Sequence, residues 1–313
     1  MKQMTPGAVR VVDPVLTQVA QGYRNAAMVG MSLFPAVPVG QRGGQIITFG
    51  KEDFELYATR RAPGSNTKRV QFGYAGGSFA LESHSLEGVL PIELQQEAQA
   101  VPGIDLARME IAKVQNVIAL RLEKAQADLA TTAANYGSGN KLTSLTGTSL
   151  WSDATSSDPI ANVETAKDAI RAAIGLRPNV MVIGAQVLKA LRQHSKIIDR
   201  IKYTGRDVPT PELLASLFGV DRVLVGDAVY ADQSGAFVDV WGKNAVLAYV
   251  DVSTLASMGS PSFGYTYRLS GYPIVEPAYF ERNPKSWIYP VTDEVSPVIA
   301  SATAGYLISP AVA

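Results

Sequence analysis

The sequence predicts an α+β fold. Three observations carry that expectation. One helix of unusual length lies between Pro102 and Asn135, helices and apolar strands alternate over 160–270, and a proline-marked, strand-rich tail begins at Tyr272.

The long helix sets the scale. Ile104, Ala107, Ile111, Val114, Ile118, Leu122, Ala125 and Leu129 recur in steps of three and four, the helical period. Arg108, Glu110, Lys113, Arg121, Glu123, Lys124 and Asp128 fall mostly off that stripe. Pro102 suits a first helical turn, Asp105 suits the positive end of the helix dipole, and Asn135-Tyr136-Gly137 supplies a stop. Over 102–135 such a helix is about 50 Å long. A single apolar stripe of that length requires a sheet lying along it.

Ahead of it, Asp13-Pro14 reads as an N-cap and first helical position, opening a short helix over 13–24. LFPAVPVG (33–40) holds two prolines, which forbid a central strand and favour an extended arm. QIITF (45–49) and VQFGYAGGSFALES (70–83) read as the two strands of a long ribbon, with APGSN as the turn signal between them. Arg60, Arg61, Lys68 and Arg69 crowd its tip, and no acid lies between Leu56 and Leu81. The tip reads either as a solvated loop or as a basic contact for an acidic patch on another subunit. LEGVLPIELQQEA (86–98) is a strand-to-turn passage into the long helix.

After the helix, the Ser-, Thr- and Gly-rich stretch 136–159 is a loop and the best domain boundary. NVETAKDAIRAAIG (162–175) is a helix ending at glycine, and NVMVIG (179–184) is a buried strand. AQVLKALRQHSKIIDRI (185–201) is helical, in one piece or two. TPELLASLFG (210–219) has a capping threonine and Pro211 in its first turn. DRVLVGDAVY, AFVDVWGKNAVLAYV and FGYTYRLSG are strands, the last closing a compact α/β unit near residue 270. In the tail, GYPIVEPAYF, SWIYPV and AGYLIS are expected to join QIITF and the strand near Phe79 in the sheet that covers the long helix.

Composition narrows the function. The 313 residues fit two domains or one large one, and 47% are hydrophobic, enough for a substantial core. Only 18% are charged, below the usual quarter, which points to surface covered by other subunits. Basic and acidic residues number 28 each, so a dedicated nucleic-acid binder is not indicated. Cysteine is absent, which removes disulfides, thiol nucleophiles and zinc ribbons. No signal pattern opens the chain, and no apolar run approaches the length of a membrane span. An intracellular chain, or one assembled inside a cell, is expected.

Patterns for catalysis are weak. His84 and His194 each lack a second histidine at metal spacing, and His194 is expected in a partly exposed structural role. Ser65 to Lys68 matches S-x-x-K without companion motifs. VMVIGAQ and VLVGDA end in glycines but complete neither G-x-G-x-x-G nor a P-loop. Lys51-Glu52-Asp53 and Asp293-Glu294 read as loose surface carboxylates able to touch a cation. No catalytic, cofactor-binding or metal residue is therefore assigned, and no enzyme activity is expected.

An extended arm, a long ribbon and a girder-like helix cannot all be satisfied within one subunit. Such segments belong to proteins that interlock into closed rings or shells. In this order the chain resembles the major capsid proteins of tailed bacteriophages, the Hong Kong ninety-seven-like fold. LFPAVPV before GGQIITFGKEDF resembles an N-terminal arm entering the extended loop. Pro102–Asn135 resembles the spine helix of the peripheral (P) domain. NVMVIGAQVLKALRQHSKIIDRIKYTG and PELLASLFGVDRVLVGDAVY resemble the axial (A) domain, and GYPIVEPAYFERNPKSWIYP resembles the return into the P-domain sheet.

The resemblance implies an arm over 1–42, an extended hairpin over 43–85 and a P domain over 86–159. An inserted α/β A domain over 160–271 and C-terminal P-domain strands over 272–313 complete it. It further implies self-assembly into hexamers and pentamers of an icosahedral shell around packaged double-stranded DNA, within a virion assembled in the host cytoplasm. Scaffolding, portal and decoration proteins are the implied partners, with non-specific contact to DNA and no membrane. The inter-subunit contact is assigned to Arg60, Arg61, Lys68 and Arg69. Some members crosslink a loop lysine to a P-domain asparagine, for which Lys51 or Lys68 and Asn283 are formal candidates. The arm-like region begins almost at once, so a separate scaffold, or none, is expected rather than a fused one. An encapsulin-type shell around a cargo enzyme shares this fold and stands as the alternative. An α/β enzyme built on 160–270 is a third reading without a supporting constellation.

Overall fold

The computed structural model describes residues 28–45, 60, 77–99, 105–202, 209–251 and 261–313. The expected 13–24 helix, Pro102, Ile104, most of the ribbon and the S-x-x-K stretch lie outside them.

The first elements are extended. β1 (Ala36–Val39) follows the anchored stretch Val29–Phe34, and β2 (Gly43–Gln45) and β3 (Ser78–Ala80) form the root of the ribbon. β4 (Glu82–Pro91) is a ten-residue strand, and α1 (Ile92–Gln99) follows directly. The 86–98 passage is thus strand then helix, not strand then turn.

The long helix, α2, spans Leu106–Thr131, 26 residues or about 39 Å. Asp105 is its N-cap and accepts from the Arg108 N–H at 3.1 Å. It ends earlier than expected, because Thr132 leaves helical geometry. Asn135 Nδ2 donates to Leu129 O and the Tyr136 hydroxyl to Ala130 O, satisfying carbonyls of the last turn. Its buried stripe also drifts. Ile111, Val114, Ile118 and Leu122 are buried as predicted, but the second half buries Glu123, Gln126, Ala127 and Ala130, leaving Ala125 and Leu129 half-buried.

Beyond α2, β5 (Lys141–Leu142) emerges from the 136–159 loop. α3 (Pro159–Ile174) is capped by Asp158 and closed by a left-handed Gly175. The fully buried β6 (Val180–Gly184) leads to α4 (Ala185–Gln193) and α5 (Ser195–Ile201), the predicted two-piece helix. α6 (Pro211–Phe218) begins at Thr210, whose hydroxyl accepts from Leu213 N, and stops at a left-handed Gly219. Then come β7 (Arg222–Gly226), β8 (Val229–Ala231), β9 (Phe237–Asp239), β10 (Ala245–Ala248) and β11 (Gly264–Leu269). β12 (Ile274–Val275), β13 (Tyr279–Glu281), the 14-residue β14 (Ser286–Ile299) and β15 (Gly305–Ile308) complete the chain.

Two sheets organise these strands. The six-stranded sheet runs β1-β11-β14-β12, with β4 and β13 also paired to β14. It covers the first half of α2, where Leu90, Tyr289 and Val291 pack with Ile111, Val114 and Ile118. β1 lies at its edge, as Pro38 requires. Pro290 of β14 falls between the partners β12 and β13, where a missing N–H breaks no ladder on that side. The second sheet runs β5-β15-β10-β6-β7 and holds the larger core.

Two strands sit in the opposite sheet from the one expected. β11 (in FGYTYRLSG) pairs with β1 and β14, whereas β15 (in AGYLIS) pairs with β10 and β5. The burial patterns supply the reason. β15 is buried at every residue and suits the middle of a sheet covered on both faces. β11 carries polar Thr266 and Arg268 among its aromatics, and its partial exposure suits a sheet with one wetter face. The strand at Phe79, β3, likewise pairs with β2 in a separate two-stranded sheet rather than joining the six-stranded one, while residues 46–49 of QIITF lie outside the described residues.

Candidate functional site

The described residues next to the arm and ribbon, Val29–Gly30 and Arg42, are each tied down by a buried carboxylate. The arm is held by Glu123 of α2. Its Oε1 accepts from Val29 N (2.9 Å), Gly30 N (3.0 Å) and Trp241 Nε1 (2.7 Å), and its Oε2 accepts from Gly30 N (2.9 Å). Every contact donates to the carboxylate, which suits its charged form. Burial nevertheless pushes the Glu123 pKa up, opposed by the hydrogen bonds from Trp241, Val29 and Gly30.

Gly30 permits the close approach, since a Cβ there would overlap Gln126 Oε1. Gln126 Nε2 donates to Thr266 Oγ1 (2.8 Å), and Thr266 Oγ1 donates to Phe34 O (2.8 Å). One buried network therefore joins the arm, the spine helix, β11 and Trp241. Glu123 falls off the apolar stripe that the sequence predicts, and Gln126 is not part of it. The available signal was two polar residues on the face that continues Ile111–Leu122.

The hairpin root is the second site. Arg42 donates through Nε and a terminal nitrogen to the two carboxylate oxygens of Glu294, each at 2.6 Å. The Arg42 side chain is 68% exposed and that of Glu294 only 4%. The Glu294 hydrogen bonds raise the Arg42 pKa above its ordinary value. Next along β14, Asp293 pairs with Arg268 at 3.0 Å. Burial raises the Asp293 pKa, and Arg268 opposes the rise. Phe79 of β3 stacks on Tyr267 of β11 with centroids 4.2 Å apart, and Leu81 N donates to Arg42 O at 2.8 Å. Asp293 and Glu294 are thus buried ion-pair partners, not loose surface carboxylates.

Other expected residues are placed as follows. Arg60 is exposed, while Arg61, Lys68 and Arg69 lie outside the described residues, as does Lys51. Asn283 is exposed in the turn before β14. His194 is fully buried, which corrects the partly exposed expectation, and its Nε2 shares a hydrogen bond with Ser157 Oγ at 2.9 Å. Ser157 is also buried, so this serine–histidine pair is sealed from substrate and knits the 151–158 loop to the α4–α5 junction. Gly226, which ends β7, lies against the Trp241 ring, so its role is packing. No group of three or more His, Asp or Glu able to hold a metal occurs among the described residues. No helix among them is long and apolar enough to cross a membrane.

Residues 94–288 match the family described as phage major capsid protein E. The major capsid protein of Burkholderia phage BcepMu is 40% identical over 304 residues, covering 96% of each chain. This chain belongs to the phage major capsid protein family. A crystallised phage-related protein from Bordetella bronchiseptica RB50 superposes on the capsid chain with a TM-score of 0.83 at 44% identity, covering 97% of this chain and 98% of that one. An encapsulin from Synechococcus elongatus PCC 7942 covers 97% of this chain and 96% of its own, at a TM-score of 0.56 and 12% identity. That likeness shows the shared fold alone, so the encapsulin alternative is no better supported. The capsid chain has the expected Hong Kong ninety-seven-like fold, and its role is that of a phage major capsid protein.

Proposed function

We propose that the chain forms the hexamers and pentamers of an icosahedral shell enclosing packaged double-stranded DNA, in a virion built in the host cytoplasm. Its role is structural, without catalysis. The observation that carries this reading is the anchoring of two segments by their roots: the arm on Glu123, and the hairpin on Glu294 and Tyr267. Segments fixed firmly at the base are suited to bear contacts with neighbours. Many modest contacts then act together when rings close.

The arm, extended hairpin, P domain and inserted A domain are read at 1–42, 43–85, 86–159 with 272–313, and 160–271. Arg60, Arg61, Lys68 and Arg69 are read as the inter-subunit contact. Scaffolding, portal and decoration proteins are the proposed partners, with non-specific contact to DNA.

The test is electron microscopy and size exclusion of the purified chain, with and without a scaffolding protein. Closed shells or free capsomers are expected. A strictly monomeric species at high concentration under both conditions would overturn the reading.

A further inference from the structure

Glu123 is a buried charge with no cation among its partners. The residue is 2% exposed, and its carboxylate is met only by neutral N–H donors: Val29 and Gly30 of the arm, and Trp241. A charge so placed is tolerable while its donors stay, and costly once they leave. The donors come from two separate parts of the chain. Val29 and Gly30 precede β1 of the six-stranded sheet, whereas Trp241 precedes β10 of the other.

Trp241 sits against the ends of two strands. β6 and β7 run parallel and finish side by side at Gly184 and Gly226. A Cβ on Gly226 would lie 2.1 Å from Trp241 Cδ1, and one on Gly184 would lie 1.9 Å from Gly242 O. Glycine at both ends leaves the room that Trp241 and Gly242 fill. Gly184 N donates to Asn244 O at 3.0 Å, and Asn244 Nδ2 donates to Trp241 O at 3.1 Å. α4 begins at Ala185, directly after Gly184.

The arm is seated as tightly. A Cβ on Gly30 would lie 2.2 Å from Gln126 Oε1 and 2.8 Å from Glu123 Oε2. Displacing the arm withdraws the Val29 and Gly30 donors and leaves the charge with the Trp241 N–H alone. The carboxylate must then turn toward water, and Trp241 loses its acceptor.

We infer that Glu123 is the shared link of a conformational coupling: the arm seated on this carboxylate holds Trp241 against the ends of β6 and β7, and an arm drawn off releases it. Such coupling is reciprocal, so loss of the Trp241 donor loosens the arm. The link lies within one chain and goes beyond the shell reading, holding whether or not shells form. A pull on the arm is delivered through it to β6, β7 and the first turn of α4.

Both directions are measurable on the full chain. Trp241→Phe keeps an aromatic ring and removes the N–H. Amide exchange in peptides covering 28–34, read by mass spectrometry, is expected to quicken about tenfold, while peptides of β14 keep wild-type rates. Trp151→Phe is the control, because Trp151 is fully buried in the same core but its Nε1 has no hydrogen-bond partner. It is expected to leave exchange over 28–34 unchanged. For the reverse direction, the chain has three tryptophans, so Trp151→Phe with Trp287→Phe leaves Trp241 as the reporter. Adding Gly30→Ala is expected to red-shift the Trp241 emission and to increase its quenching by acrylamide about twofold. If Gly30→Ala fails to fold or leaves exchange over 28–34 at the wild-type rate, Val29→Pro, which deletes a donor N–H, takes its place.

Wild-type exchange over 28–34 in Trp241→Phe overturns the inference. So does equal quickening in Trp151→Phe. An unmoved Trp241 spectrum in a chain whose 28–34 exchange has quickened overturns it as well.

Discussion

Glu123 is the residue on which the arm depends. Replacing it by alanine strands three buried N–H donors, at about 1–3 kcal/mol for each group left unpaired. Glu123→Ala is therefore expected to lower the denaturant midpoint well beyond a surface substitution, read by chemical unfolding. Gly30→Ala should also destabilise, because its methyl group would enter the space of Gln126. His194 gives a pH signature. Burial holds its pKa below the ordinary 6.5, reinforced by Lys196 and opposed by Asp158 and Asp153. Between the folded and ordinary values the unfolded chain binds more protons, so stability is full above about pH 6.5 and falls as pH drops through that window. His194→Gln should flatten this slope in melting curves taken from pH 7 to 5, and an equal slope in both chains would exclude His194 as its source.

At the scale of elements, α2 and the hairpin root make different demands. The first half of α2 is held by apolar packing, and Ile111 is completely buried. Ile111→Asp places an unpaired charge there, at a cost of several kcal/mol, and is expected to unfold the sheet–helix layer. A melting curve like wild type would show the site to be wet. The hairpin root is held by a mostly exposed arginine on a buried glutamate. Arg42→Ala alone removes the two-pronged cationic partner of the buried Glu294 carboxylate, whereas Arg42→Ala with Glu294→Gln removes the charge as well. The double variant should melt above the single one, and a lower midpoint would show that Glu294 is satisfied without Arg42.

For the whole molecule, assembly through oppositely charged segments should weaken with salt. The Debye length falls from about 8 Å at physiological ionic strength to about 3 Å at 1 M. The initial rate of assembly, followed by light scattering, is expected to fall over that range, and a salt-independent rate would remove charge steering as the means by which subunits meet. The low charged fraction, 18%, fits a surface largely covered by copies of itself.

What the sequence by itself determined was local or periodic: the long helix, the glycine-stopped helices over 162–175 and 210–219, the buried strand over 179–184, and the exclusion of the proline-bearing LFPAVPVG from a central strand. Each follows from a repeat, a cap or a missing N–H within a few residues. The order of those elements also carried the resemblance that the family match bears out. Only the tertiary structure decided which sheet received β11 and β15, since strand partners are chosen across long separations by burial on both faces. It alone showed the drift of the α2 stripe onto Glu123 and Gln126, because a buried carboxylate becomes tolerable only where distant donors, here Val29, Gly30 and Trp241, converge on it.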